Sequence, residues 1–116
     1  MTEHILFPQI NHVEKNNESL ILSLTISSDI YYFLGHFPQA PILPGVVQVH
    51  WVLHFIQQYF GEKISDYQSI EALKFQVIIA PEYQVKFTLK KMTNKKYSFN
   101  YSSSHGTHSS GRVIYS

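Results

Sequence analysis

The stretch Gly35-His36-Phe37-Pro38-Gln39-Ala40-Pro41-Ile42-Leu43-Pro44-Gly45-Val46-Val47-Gln48-Val49-His50-Trp51 joins a stiff loop to the one long helix that this chain can build. Three prolines fall within the seven positions from 38 to 44. Proline fixes φ and withholds an N–H, so this segment forms neither a helix interior nor a central strand. It is also apolar, which is unusual for a loop and predicts burial, and its prolines reduce the entropy of the unfolded chain. From Val46 to Tyr59 the pattern is helical, with Gly45 at the start and Gly61 placed as a C-terminal cap. Apolar residues occupy most of that helix's circumference and predict a largely buried element. The exception is a narrow stripe of His50, His54, Gln57 and Gln58, spaced for one face.

On either side of this core the pattern is β. Ile5, Phe7 and Ile10 surround Pro8, which suggests an edge strand or an irregular start. Lys15-Asn16-Asn17-Glu18 reads as a turn, and Leu20, Leu22, Leu24 and Ile26 then alternate as a half-buried strand, completing a hairpin. Ser27-Ser28-Asp29 offers caps for a short helical turn through Phe33. After the helix, Ile70 to Ile79 is a long apolar stretch, and Pro81-Glu82 marks a turn. Tyr83, Val85, Phe87 and Leu89 alternate, as do Tyr97, Phe99 and Tyr101 beyond the turn at Asn94-Lys95. A turn around Gly106 is expected to expose His105 and His108, and Arg112 to Tyr115 closes the chain. The expected order is two strands, the helix, then four strands in an antiparallel meander. One helix and about six strands predict an α+β domain in which a curved antiparallel sheet wraps around the helix. Such a layer leaves strand edges free, so edge-to-edge pairing of two copies follows naturally.

Composition narrows the functional classes. A chain of 116 residues fits one domain, taken here as 1–116, and 44% hydrophobic content describes a chain that folds. A net charge of +1 gives no electrostatic case for nucleic acid or an anionic membrane. The absence of cysteine excludes disulfides, thiolate-bound zinc and a thiol nucleophile. Polar residues interrupt the segment from Val46 to Phe60, which is too short to span a bilayer. The first residues carry an early Glu3 and no apolar run of signal-peptide type, so a cytoplasmic protein is expected.

The segment Gly35 to Val46 resembles the signature of the 3-hydroxyacyl-carrier-protein dehydratases of fatty-acid synthesis, G-H-F-P-x-x-P-I-x-P-G-V. Gly35, His36, Phe37, Pro38, Pro41, Ile42, Pro44, Gly45 and Val46 match it without a gap. Phe75, Ile79 and Pro81 fall near a second family segment, F-x-x-x-V-x-P-G-D, where Glu82-Tyr83 stands in place of Gly-Asp. The run Pro44 to Trp51 is most similar to the small dehydratases of aryl-polyene pathways. The resemblance implies the hot-dog fold, a homodimer or larger homo-oligomer, an acyl-carrier-protein partner and no metal or organic cofactor. It implies dehydration of a 3-hydroxyacyl thioester to the trans-2-enoyl product, with His36 as base and the Gly45 N–H as donor to the thioester oxygen. Phe37, Pro44, Val46 and His54 would line the substrate.

These roles suit the chemistry. Removing the C2 proton places negative charge on the thioester oxygen, so the step needs a base titrating near neutrality and a donor aimed at that oxygen. A helix N-terminus favours that charge, and glycine permits close approach of the substrate. The departure is at His50. In the family an acidic residue, supplied by the other protomer, lies five positions after the glycine and helps the hydroxyl leave. An imidazolium at 50 could protonate the departing hydroxyl, though it would not act as a permanent anion.

Other readings weigh against these residues. His36 alone is as consistent with tying down a proline-rich loop, and Gly45 with a plain helix start. His50 and His54 have the spacing of a helical metal pair, but no third ligand is evident and no Glu follows His50, so no metal is expected. Lys90, Lys91, Lys95 and Lys96 read as a solvated edge, with carrier-protein docking as the functional option. The rival functions are a hot-dog acyl-thioesterase, disfavoured by a helix without a carboxylate, and a non-catalytic acyl-binding or assembly subunit.

Overall fold

The computed structural model describes residues 4–33 and 41–116. Six strands form one antiparallel sheet: β1 (Gln9–Lys15), β2 (Ser19–Thr25), β3 (Tyr67–Phe75), β4 (Gln84–Thr93), β5 (Lys96–Ser103) and β6 (Gly106–Tyr115). The helix α1 (Gly45–Phe60) lies between β2 and β3 in the chain, and short 3-10 turns occupy Tyr31–Phe33 and Ile64–Asp66. Alternation dictates which face of the sheet is wet. Leu20, Leu22 and Leu24 of β2, Val85, Phe87 and Leu89 of β4, and Tyr97, Phe99 and Tyr101 of β5 are buried, while their neighbours in sequence are not. Into this inner face α1 places Val47, Trp51, Val52, Phe55 and Ile56. Phe55 meets Phe87 at 5.1 Å between ring centroids, and Phe87 meets Tyr101 at 4.9 Å.

The turns form as their residues require. Asn16 Oδ1 accepts the N–H groups of Glu18 and Ser19, which closes the β1–β2 hairpin. Gly61 ends α1 in the left-handed region at φ 80°, its N–H donating to the carbonyl of Gln57.

The expected four-strand meander needs correction. The strand order is β1-β2-β4-β5-β6-β3, so only β4, β5 and β6 form a meander. Strand β3 crosses to the far edge beside β6, and β4 pairs with β2. The third strand also runs from Tyr67 to Phe75, earlier than the apolar stretch from Ile70 to Ile79 suggests. It is exposed along nearly its whole length, and among the described residues no strand pairs with its outer edge. Its pairing with β6 shifts between Glu71 and Lys74, around Ala72 at φ 52°. The helix, too, is less enclosed than its sequence implies. Val46 is 77% exposed, whereas the exposure of His50, Gln57 and Gln58 follows the expected polar stripe.

Candidate active site

Pro44 is the N-cap of α1 in an extended conformation and supplies no side-chain cap. Its carbonyl takes the N–H groups of Val47 and Gln48. The N–H groups of Gly45 and Val46 find no partner among the described residues, and they sit at the positive end of the helix dipole. Gly45 lines an apolar cleft of about 420 Å³, together with Ile42, Leu43, Gln48, the segment Phe75 to Ile78, and His108. A Cβ on residue 45 would lie 2.7 Å from the ring of Phe75, so the close approach of that ring requires glycine.

Gln48 holds this helix start in place. It is buried, donates Nε2–H to the carbonyl of Leu43 at 3.2 Å, and accepts the Ser109 hydroxyl at Oε1 at 2.7 Å. Its own carbonyl accepts the Tyr101 hydroxyl at 2.8 Å, and burial holds that phenol well above its usual pKa, as a permanent donor. Leu43 is held from the other side by its N–H, which donates to the carbonyl of Ile79 at 2.8 Å. Two elements and the connector after β3 therefore converge on the residues just before Gly45.

His108 is buried in β6, contrary to the exposed turn expected from its Ser/Gly-rich surroundings. In the pairing with β5, Tyr101 faces Ser109 and Ser102 faces Thr107, so His108 is the extra residue of a bulge that turns its ring inward. The Val77 carbonyl can only accept, so Nδ1 carries a hydrogen and donates to it at 3.1 Å, while Nε2 meets the Ser103 hydroxyl at 2.7 Å. The backbone carbonyl of His108 also accepts the Gln76 N–H. These two bonds brace the Gln76–Val77 wall of the cleft. His105 is exposed as expected, stacked on Tyr83 at 3.9 Å.

The remaining site residues are distributed as follows. His36 and Phe37 lie outside the described residues. Val46 lines a second groove, of about 440 Å³, with Gly45, Val49, Tyr67, Ile70, Leu73 and Phe75. Pro44 is half-buried at the helix cap and borders neither space. His50 is exposed and also borders neither, since five residues of helix rotate it by roughly 140° from Gly45. His54 packs against Phe7 at 4.3 Å between ring centroids, and His50 lies 6.3 Å from the same ring. Burial, and then the like charge of His50, lower the pKa of His54. Among the described residues neither space is lined by a carboxylate. Among the described residues no third metal-ligating side chain joins the two helical histidines. Gln48 and His108 are site residues to which sequence reasoning assigned no such role, and Phe75 entered only through the second family segment. A buried glutamine on a helix and a bulged histidine in a serine-rich strand carry no periodic signal.

A helix seated in the concave face of one six-stranded antiparallel sheet, its N-terminus opening on an apolar cleft, defines the hot-dog class. The family model described as ApeI dehydratase, ApeI-like, matches residues 12–112, and the chain belongs to that family. The structure is similar to the dehydratase heterocomplex ApeI:P from Xenorhabdus doucetiae, with a TM-score of 0.85 and 28% identity, covering 94% of this chain and 97% of that one. Among curated relatives, the 3-hydroxyacyl-[acyl-carrier-protein] dehydratase FabZ of Clostridium kluyveri is 26% identical over 92 residues, and that of Sulfurovum is 31% identical over 104. The matches cover 74% and 78% of this chain, and 63% and 68% of those relatives. The chain thus spans less than two thirds of the length of the Clostridium enzyme. No helix among the described residues is long and apolar enough to cross a membrane.

Proposed function

We propose that this chain, as a single domain, dehydrates 3-hydroxyacyl thioesters carried on acyl carrier protein to trans-2-enoyl thioesters. The observation that carries the reading is the uncapped helix start at Gly45, opening onto an apolar cleft and following His36 closely in the sequence. The thioester oxygen accepts the Gly45 N–H, and His36 takes the C2 proton. The C3 hydroxyl leaves as water with a proton from His50. Phe37, Pro44, Val46 and His54 border the bound acyl and pantetheine groups. His50 turns away from its own chain's cleft, which suits donation into a partner's site within a cytoplasmic homodimer. The test is to incubate purified protein with 3-hydroxyacyl-carrier and enoyl-carrier substrates and follow the loss or gain of water by mass. Release of free thiol instead would indicate a thioesterase.

A second reading rests on His50 itself. The neighbouring Xenorhabdus structure is a dehydratase heterocomplex, and here the helix carries no carboxylate. On this reading the chain works beside a different subunit that supplies the acid. An inert wild type that gains turnover with His50→Glu would favour it.

A further inference from the structure

We infer that Phe75 sets the length of acyl chain that the site accepts, by acting as a partition between two apolar spaces that meet at Gly45. The inference rests on the acyl-thioester reading above. The cleft of about 420 Å³ and the groove of about 440 Å³ share only two lining residues, Gly45 and Phe75. The Phe75 ring stands close over Gly45, with three of its atoms between 2.7 and 3.2 Å from where a Cβ would be. A thioester bound at the Gly45 N–H therefore has its acyl chain confined to one space. The other lies directly behind the ring and is walled by Val46, Val49, Ile70 and Leu73, which suit a hydrocarbon chain. The ring is held by little else, since Phe75 is the last residue of β3 and is 51% exposed. Truncating it costs little core packing and joins the two spaces past the helix start.

The test uses S-alkyl pantetheine thioethers of increasing alkyl length, which can be neither dehydrated nor hydrolysed, titrated calorimetrically into the wild type, Phe75→Ala, Phe75→Leu and Phe75→Trp. In the wild type, affinity should rise with length and then stop. In Phe75→Ala it should continue to rise beyond that length, by up to about fourfold for each further buried methylene. Phe75→Leu should lie between them, and Phe75→Trp should stop at or before the wild-type length. A break point common to all four proteins overturns the role of Phe75 and leaves the acyl-thioester reading intact. Absence of binding at every length overturns that reading, and this inference with it.

Discussion

Gln48 ties the start of α1 to β6, and its loss separates architecture from chemistry. Gln48→Leu strands the Ser109 hydroxyl and the Leu43 carbonyl, each buried without a partner. Stability should fall by about 1–3 kcal/mol in denaturant titrations. If the Gly45 N–H binds, as proposed, charge that develops only in the transition state, kcat should fall more than KM rises. Substitutions at His50 test the proposed acid. If His50 donates as imidazolium while His36 accepts as neutral base, the rate should be bell-shaped in pH. A carboxylic acid loses its proton at lower pH than an imidazolium. His50→Glu should therefore move the alkaline limb toward acid, while His50→Gln should abolish most turnover. A His50→Gln enzyme as fast as wild type would remove His50 from the mechanism. His36→Ala should cost about a hundred- to ten-thousand-fold in rate with the fold intact. His54 makes a prediction about stability. Its folded pKa lies below the ordinary 6.5, so between those two values the unfolded chain binds more protons. Stability should decline as pH falls through 6.5, and His54→Gln should flatten that decline in thermal melts at pH values on either side.

At the scale of elements, β3 and the open side of α1 are the unfinished part of the chain. Tyr67, Leu73, Phe75, Ile78 and Val46 are all exposed there, beside a strand with one edge unpaired among the described residues. Two copies joined through β3 would satisfy that edge and cover this surface. Leu73→Lys should then shift sedimentation toward the monomer at micromolar concentration, leaving far-ultraviolet circular dichroism unchanged. Legibility in the sequence follows from the same geometry. Leu20, Leu22, Leu24, Val85, Phe87 and Leu89 line one buried face, so their period of two declares both strands. The helix declares itself by length and by Gly61. The course of β3 is a tertiary fact, because an exposed edge strand has no alternation to report. The first half of β6 looks like a loop because, His108 apart, its inward positions are small. A Cβ on Gly111 would lie 3.0 Å from the Phe99 ring, and Ser109 is short enough to meet Gln48. The roles proposed for His36 and Gly45 come only from the motif, and the bulge at His108 was not legible at all.

On the scale of the whole molecule, the proposed donation from the turned-away His50 into a partner's site would make catalysis a property of the pair. His36→Ala and His50→Gln subunits, each inactive alone, should regain activity when mixed under conditions of subunit exchange. Half of the resulting dimers would be mixed, each with one intact site, so about a quarter of wild-type turnover should return. Failure to complement, with mixed dimers verified by native mass spectrometry, would place both histidines in one chain's site. The amino-terminal segment offers a separate handle on the same molecule. Trp51 is the sole tryptophan of the chain, fully buried at mid-helix, and its indole N–H donates to the carbonyl of Leu6 at 3.0 Å. Its emission, excited at the red edge where the eight tyrosines are silent, is thus a built-in optical probe of whether the leading segment is docked. Peeling that segment away admits water to the indole while the sheet still stands. A red shift that precedes the loss of circular dichroism on heating would mark the amino terminus as the first part of the protein to let go.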